Sequence, residues 1–169
     1  MSAAFRAKRV DPELDVVVLE KGEYISYAAC SLPYVIAGRV DDSRKLIART
    51  PEQARGEGID VRMGHEAVRI DVEQSRVTVR APGGGKEDIA YDYLLLATGA
   101  VPIVPEDWGT GGLAGVFLLR TIPDALALLA ELESGKPSRA VIVGGGYIGV
   151  EAADALLERG LSVTVVDMA

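Results

Sequence analysis

Short runs of consecutive apolar residues, bounded by polar, charged or glycine residues, recur in this chain at 15–20, 93–97, 140–143 and 162–167. Runs of this length without alternation are typical of strands that are buried on both faces, as in a parallel sheet. Between the last two runs, residues 147–159 carry apolar side chains at helical spacing and follow a glycine-rich turn. The end of the chain therefore predicts a strand, a turn, a helix and a second strand, which is a βαβ unit.

The rest of the chain predicts helices and short strands around these runs, with residues 22–31 as a loop. Pro33, preceded by Ser31 as a possible N-cap, is expected to open a short helix through Ala37. Further helices are predicted at residues 1–9, 50–58 and 123–133, and short strands of a β-meander at 60–63, 67–71, 76–80 and 88–91. A Pro- and Gly-rich stretch from residue 98 to 115 indicates the edge of a domain.

The composition of the chain limits the classes of function that it can have. The 169 residues are 49% hydrophobic and carry a net charge of −7, which disfavours nucleic acid as a partner because its phosphates need clustered Lys and Arg. The apolar runs are far shorter than a membrane-spanning helix, and residues 1–9 resemble no export signal. The single cysteine, Cys30, cannot form an internal disulfide, so a free thiol in a reducing cytoplasm is expected.

A glycine pattern opens the last helix. Gly144 permits a tight turn, Gly146 lets a pyrophosphate approach the backbone, and Gly149 allows the helix to pack closely on the strand. The first turn of the helix supplies unpaired N–H groups to the phosphates. Asp167 ends the next strand, where an acid can hold a ribose 2′-OH and would repel a 2′-phosphate, so the loop predicts NADH in preference to NADPH.

The beginning of the chain repeats the spacing of its end. The stretch from Arg9 to Glu20 runs from a helix end to an acidic strand end, as does the stretch from Arg159 to Asp167. The glycine equivalent to Gly149 would then lie just upstream of residue 1. We therefore expect a first strand and its glycine loop to be missing from the N-terminus, and the sheet at the C-terminus to be unfinished.

Two nucleotide-binding units separated by a β-meander, together with residues 18–21, 93–99, 119–121 and 143–151, resemble the pyridine nucleotide–disulfide oxidoreductase family. The resemblance implies an incomplete Rossmann-like α/β fold, with a partial FAD-binding domain at residues 1–115 and the start of an NAD(P)-binding domain at 116–169. It implies that FAD is bound by Glu20, Lys21, Val68, Thr98 and Gly99. It implies that NADH is bound by Gly144, Gly146, Tyr147, Ile148, Gly149, Glu151 and Asp167.

The stretch around Cys30 reads Ser-Tyr-Ala-Ala-Cys-Ser-Leu-Pro-Tyr over residues 26–34. Ile25 and Val35 occupy the positions where a second cysteine would stand in dithiol members of the family, so an internal dithiol cycle is excluded. The pattern resembles coenzyme A–disulfide reductases and their persulfide-reducing relatives, although Ala29 replaces an Asn common there. The resemblance implies Cys30 as the catalytic thiol, and Arg9 and Ser26 as contacts of the coenzyme A part of the substrate.

Local physics supports this role of Cys30, because the positive end of a helix opened by Pro33 would stabilise a thiolate. We expect an enzyme, homodimeric in its parent form, that reduces a small disulfide. Two alternatives remain open. One is an NADH oxidase or peroxidase that uses a cysteine sulfenic acid; the other is a flavin-free, inactive remnant. No metal-binding cluster is predicted.

Overall fold

The computed structural model describes residues 1–105 and 113–168, and within them it is an α/β protein, as predicted. Residues 106–112, which belong to the predicted Pro- and Gly-rich stretch, lie outside the described part. The described α-helices are α1 Ser2–Val10, α2 Leu32–Ala37, α3 Pro51–Gly56, α4 Ile122–Ser134 and α5 Tyr147–Glu158. The described strands are β1 Val16–Glu20, β2 Ser26–Tyr27, β3 Ile47–Arg49, β4 Ile59–Met63, β5 Glu66–Asp71, β6 Arg76–Arg80, β7 Lys86–Ala90, β8 Arg139–Val143 and β9 Ser162–Val166.

Packing divides the chain into two compact units. The first comprises Met1–Tyr27 and Ile47–Thr98, and the second comprises Ala28–Leu46 and the chain from Gly99 onward. The sequence predicts a boundary between residues 115 and 116, where an FAD-binding domain would end and an NAD(P)-binding domain would begin. That boundary concerns nucleotide binding and not packing, so it stays a prediction. The segment that carries Cys30 therefore packs within the same unit as the glycine loop.

A parallel strand pair forms the centre of the first unit. β1 pairs with β4 over five residues, from Val16 opposite Ile59 to Glu20 opposite Met63. Helices α1 and α3 pack against this pair, and Ala54, Ile59 and Val61 form the buried cluster between them. The strand predicted at 60–63 is thus correct, but its partner is the distant β1 and not a neighbouring strand of the meander.

The β-meander follows directly. β5, β6 and β7 form a three-stranded antiparallel sheet whose inward residues include the buried Val77 and Val79. The pairing of β5 with β6 shifts between Ala67 and Arg69, so Val68 has no partner residue in the ladder. A β-bulge of this kind leaves backbone groups free for another ligand.

The strand predicted at residues 93–97 does not form, and this prediction is wrong for the chain described here. The segment is apolar, yet Tyr93 is 97% exposed and Leu95 is 69% exposed. A strand needs a neighbour for its N–H and C=O groups. This segment pairs with no strand of the four described sheets.

The second unit contains the predicted βαβ unit. β8 and β9 are parallel and in register from Arg139 opposite Ser162 to Val143 opposite Val166, with α5 as the connecting helix. Helix α4 begins with a capping box, in which Thr121 accepts from the Asp124 N–H and Asp124 accepts from the Thr121 N–H.

Helix α2 packs on both α4 and α5 in the second unit. Its predicted cap was only partly correct, because Ser31 occupies the N-cap position but its side chain makes no cap hydrogen bond. The reason lies in the preceding residues. Ala29–Ser31 form a 3₁₀ turn that continues directly into α2, so the backbone of Ser31 is not extended as a side-chain cap requires.

Candidate active site

The glycine loop between β8 and α5 has the shape that a dinucleotide requires. Gly144 has φ +105°, which favours glycine, and its N–H donates to Val166 O at 2.8 Å. Gly146 is the extended N-cap of α5, and a Cβ built on it would meet nothing within 4 Å. A Cβ on Gly149 would lie only 1.9 Å from Gly144 O. The loop therefore leaves space for a ligand at Gly146, whereas at Gly149 the backbone of the helix packs directly on the backbone of the loop.

The first turn of α5 is accessible to a ligand. Tyr147 is 94% exposed, Ile148 is 56% exposed, and Glu151 lies one turn further along the exposed surface. The first helical hydrogen bond runs from Val150 N to Gly146 O, so the N–H groups before Val150 precede the helical ladder. These groups face the position where a phosphate would bind at a helix N-terminus.

Asp167 lies beside this loop. It follows the end of β9, is exposed, and its Oδ2 accepts from the Gly145 N–H at 2.5 Å. A residue 22 positions away from Gly145 thus brings a carboxylate to the glycine loop. This is the arrangement expected of an acid that binds a ribose hydroxyl next to the pyrophosphate.

Cys30 is an exposed free thiol in the middle of the 3₁₀ turn before α2. The turn is fixed by the hydrogen bonds from Ser31 N to Ala28 O and from Ala28 N to Leu46 O, each 2.9 Å long. Directly after it, Leu32 is buried. A buried helix therefore holds the turn in place while the sulfur remains accessible to a small molecule.

Helix α2 packs against α5. Tyr34 of α2 lines a small cavity of about 70 Å³ together with Glu151 of α5. Arg159 follows α5, and its Nε donates to Ile36 O at 2.6 Å. The turn that carries Cys30 therefore leads into a helix that packs against the helix opened by the glycine loop.

An ion pair reinforces this contact. Arg39, just after α2, donates through Nε to Glu158 Oε2 at 2.9 Å and through Nη2 to Glu158 Oε1. The same guanidinium lies 5.6 Å from the centre of the Tyr34 ring. Its hydrogen bond to the carboxylate lowers the pKa of Glu158 and raises that of Arg39. The sequence offered no signal for this contact, since the two residues lie 119 positions apart.

The predicted FAD-binding residues lie almost entirely in the first unit. Glu20 ends β1, and its Oε1 accepts from the Gly22 N–H at 2.6 Å. Lys21 is exposed, as is Thr98, and Val68 is the bulged residue, without a partner in the ladder. Gly99, which belongs to the second unit, is exposed with φ +73°.

These residues fit the adenosine half of FAD, because they combine an acidic strand end with a bulged strand residue that has no partner in the ladder.

The structure also locates the predicted substrate contacts. Arg9 is exposed in the last turn of α1, and Ser26 is half-buried in β2, where it pairs with Arg49 of β3. Arg49 lies 5.5 Å over the Phe5 ring of α1. Arg49 thus lies opposite Ser26 and in contact with α1, the helix that carries Arg9. The sequence indicates Arg49 only as a basic residue that could meet a nucleotide phosphate, and its contact with Phe5 joins distant segments.

The described residues contain neither a membrane-spanning helix nor a metal-binding cluster. None of their helices is long and apolar enough to cross a membrane. No group of His, Cys, Asp and Glu side chains in residues 1–105 and 113–168 is arranged to hold a metal ion.

Known proteins resemble the chain over its whole length. The sequence is 41% identical over 167 residues to an NAD(P)H coenzyme A polysulfide/persulfide reductase from Pyrococcus horikoshii, covering 98% of this chain and 36% of that protein. Other curated relatives are named coenzyme A disulfide reductase, in Staphylococcus aureus, and NADH oxidase, in Methanocaldococcus jannaschii. The chain therefore spans about a third of the length of the curated relatives it matches.

Solved structures share the fold. Reduced Bacillus anthracis CoADR-RHD is 39% identical with a TM-score of 0.95, covering 99% of this chain and 30% of that one. The water-forming NADH oxidase from Lactobacillus brevis, bound to NADH, is 30% identical with a TM-score of 0.91, covering 98% of this chain and 37% of that one. An engineered mutant of the latter, a water-forming NADPH oxidase bound to NADPH, has the same TM-score at 29% identity.

The family match extends over residues 1–169 and carries the description pyridine nucleotide-disulphide oxidoreductase. The fold, the glycine loop and these relatives agree with it. The chain belongs to the pyridine nucleotide-disulphide oxidoreductase family.

Proposed function

We propose that this chain carries the redox cysteine and the nicotinamide-binding loop of an FAD-dependent NAD(P)H oxidoreductase. The substrate in this proposal is coenzyme A disulfide, or a related disulfide or persulfide. The observation that supports it most is the position of Cys30. The only thiol of the sequence is exposed, and its turn leads into α2, which packs against the helix opened by the glycine loop.

The chemistry assigned to Cys30 is thiol–disulfide exchange. Its thiolate attacks one sulfur of the substrate disulfide, a Cys30–substrate disulfide forms, and the other half of the substrate leaves as a thiolate. When bound, FAD would supply the two electrons, taken from NADH, that reduce this mixed disulfide to Cys30 thiolate and a second free thiol. Because these 169 residues contain one cysteine, none of them can supply a second thiol to resolve the mixed disulfide.

We further propose that the nicotinamide cofactor is NADH. The carboxylate of Asp167 beside Gly145 would accept the ribose 2′-OH and repel a 2′-phosphate. The L. brevis NADH oxidase supports this proposal. The five substitutions of its engineered NADPH-oxidising mutant include a glycine and, 18 residues later, an aspartate that becomes alanine, which is the spacing between Gly149 and Asp167.

A second candidate function is an NADH oxidase or peroxidase in which Cys30 cycles through a sulfenic acid. It is favoured by relatives that are named NADH oxidases. An exposed single thiol suits either chemistry. The two functions differ in the electron acceptor, since the oxidase consumes oxygen without any thiol product.

The third alternative is a flavin-free, inactive remnant. A visible spectrum after incubation with FAD and removal of free flavin separates this case, because bound flavin absorbs and an empty protein is colourless.

A cytoplasmic location and a homodimeric enzyme are further parts of our proposal. The first rests on the free thiol and the second on the family resemblance.

The test of the proposed function compares the wild type with Cys30→Ser in the flavin-loaded protein, supplied with NADH and coenzyme A disulfide. We expect the substitution to abolish thiol release while the flavin spectrum stays unchanged. Thiol release by Cys30→Ser at the wild-type rate would refute the role of Cys30. Oxygen consumption without thiol release in the wild type would favour the oxidase.

A further inference from the structure

Helix α2, which follows the Cys30 turn, is too short to be stable by itself. It has six residues, fewer than the roughly 12 to 15 that an isolated helix needs in water, and Ser31 provides no side-chain cap at its start. Its apolar side chains Leu32, Val35 and Ile36 are buried. The position of the Cys30 turn therefore depends on the helices against which α2 packs, which are α4 and α5.

Two arginines join α2 and α5 in opposite directions. Arg159, the residue after α5, donates through Nε to Ile36 O, one of the last four carbonyl groups of α2, which have no partner within the helix. Arg39, two residues after α2, donates through Nη2 to Asp154 Oδ2 at 3.5 Å and through Nε to Glu158 Oε2 at 2.9 Å. Each helix is thus held by an arginine that follows the other helix.

The guanidinium of Arg39 has a defined orientation at the contact between the two helices. Asp154 and Glu158 are four residues apart and therefore lie one turn apart on the same face of α5. The Tyr34 ring of α2 lies 5.6 Å from the same guanidinium. A cavity of about 70 Å³, lined by residues of both helices, lies beside Arg39. Because packing there is incomplete, the polar contacts of Arg39 restrict how α2 can shift on α5.

This contact joins the two parts of the chain to which the sequence assigns different cofactors. Helix α2 lies in the predicted FAD-binding part, residues 1–115, whereas α5 lies in the predicted NAD(P)-binding part, residues 116–169. Both helices nevertheless belong to the second packing unit. Arg39 therefore ties the segment that carries the thiol to the helix that the glycine loop opens.

We propose that Arg39 is a positioning residue, which fixes the Cys30 turn relative to the glycine loop by tying α2 to α5. Its contribution to the free energy of unfolding is small, because its pair with Glu158 is exposed to solvent. Its effect on the reaction is larger, since a displacement of about 1 Å can lower a rate by as much as about a hundredfold. The inference rests on the proposed function, which needs the thiol and the nicotinamide in one fixed arrangement.

The first measurement uses the single thiol as a labelling site. A dye that absorbs at the emission of NADH is attached to Cys30, and energy transfer from NADH bound at the glycine loop then reports the distance between loop and turn in folded molecules only. We expect a narrow distribution of donor lifetimes in the wild type and a broader one in Arg39→Gln. Arg39→Lys, which keeps the charge but loses the planar two-donor geometry, should give an intermediate width.

The matched control is Arg44→Gln, which removes an exposed arginine of the same segment that is paired with Asp42 in its own loop. Its lifetime distribution should equal that of the wild type. Circular dichroism of each variant checks that the fold is retained.

The second measurement is NADH-dependent release of thiol from coenzyme A disulfide by the flavin-loaded protein. Arg39→Gln should lower kcat about tenfold, while the KM for NADH stays unchanged because the glycine loop is intact. Glu158→Gln should lower kcat in the same way, and the double variant should be no slower than either single variant, since both residues act through one contact. Rates are divided by the number of Cys30 thiols that react with pantethine, which corrects for any loss of folded protein.

The outcomes distinguish this inference from the proposed function. A lifetime distribution in folded Arg39→Gln as narrow as that of the wild type, or additive losses of kcat in the double variant, would overturn the role of Arg39 and leave the proposed function standing. Failure of wild-type Cys30 to react with pantethine would overturn the proposed function, while the donor lifetimes would still decide the role of Arg39. Absence of bound NADH in the wild type would overturn both.

Discussion

The two parallel strand pairs, β1–β4 and β8–β9, both have a strand that ends in a carboxylate, but the carboxylates have different partners. Glu20 Oε1 accepts from the N–H of Gly22, in the turn that follows its own strand, whereas Asp167 Oδ2 accepts from the N–H of Gly145, in the glycine loop. The β8–β9 pair is joined by a helix that starts at this loop. The connection between β1 and β4 is longer and contains β2, α2, β3 and α3.

The different partners of the two carboxylates indicate different roles in nucleotide binding. In a dinucleotide site, the carboxylate at a strand end binds the ribose while the neighbouring glycine loop holds the adjoining phosphates. The β8–β9 unit has both parts within one compact unit, and it can be tested for nucleotide binding on this chain. In our proposal, the β1–β4 unit contributes Glu20 to the adenosine side of a flavin site, and the bulge at Val68 of β5 adds a second contact.

The largest effect is expected from the glycine loop. Gly149→Val would place a Cβ 1.9 Å from Gly144 O, and the helix must move to accept it. We expect the free energy of unfolding to fall by about 3 kcal/mol and NADH binding to be lost, as measured by urea unfolding and by NADH fluorescence.

The matched control for this variant is Gly146→Ala, whose Cβ meets nothing within 4 Å. It should leave the stability nearly unchanged and weaken NADH binding, because the methyl group occupies the surface open to the pyrophosphate. A Gly149→Val variant that is as stable as Gly146→Ala would show that the close packing of loop and helix is not needed.

The next largest effect is expected on NADH affinity, when each of the two strand-end carboxylates is replaced. Asp167→Asn should weaken NADH binding about tenfold, equivalent to about 1.4 kcal/mol, and reduce the discrimination against NADPH because the negative charge is gone. Glu20→Gln should leave NADH and NADPH binding unchanged. Fluorescence titration of both variants with both nucleotides provides the measurement, and equal losses in the two variants would remove the distinction between the two strand pairs.

The smallest effect concerns the ion pair between Arg39 and Glu158, which ties α2 to the β8–α5–β9 unit. The pKa of Glu158 is lowered in the folded protein by the Arg39 hydrogen bond. The pair therefore stabilises the fold above the ordinary carboxyl pKa, and this contribution is lost as the pH falls through the lowered value. Arg39→Gln should lower Tm slightly at pH 7 and make no difference once Glu158 is protonated.

Arg44→Gln is the control for this pH dependence. It removes the partner that lowers the pKa of Asp42 to about 2, within one loop and away from α5. Its effect on Tm should therefore persist to lower pH than that of Arg39→Gln. Thermal unfolding of both variants between pH 7 and pH 3 at constant ionic strength makes the comparison. A pH-independent difference in Tm for Arg39→Gln would contradict the assigned role of Glu158.

The sequence predicted the βαβ unit because its signals are local. Strand, glycine turn, helix and strand follow one another within residues 139–166. The residues at each boundary are of a type that favours the start or the end of the element. The same local logic identified α3, where Thr50 and Gln53 form a capping box. Cys30 and Asp167 were identified by their neighbours in sequence, and the structure leaves the thiol exposed and brings the carboxylate to the glycine loop.

Features that depend on distant residues could not be predicted in this way. An apolar run at 93–97 indicates a strand, but whether it pairs depends on an edge elsewhere in the sheet. The parallel partner of β4 is β1, and the whole of β2, α2, β3 and α3 lies between them. The contact of Arg49 with Phe5 likewise joins elements that no sequence pattern relates.

The central claim is that Cys30 exchanges with a small disulfide, and the mass of the chain tests it most directly. After reduction, removal of the reductant and incubation with coenzyme A disulfide, the wild type should gain the mass of one coenzyme A per chain, which dithiothreitol removes. Cys30→Ser should gain nothing under the same conditions. A wild-type chain that stays unmodified, although its exposed thiol is still alkylated by iodoacetamide, would contradict the account.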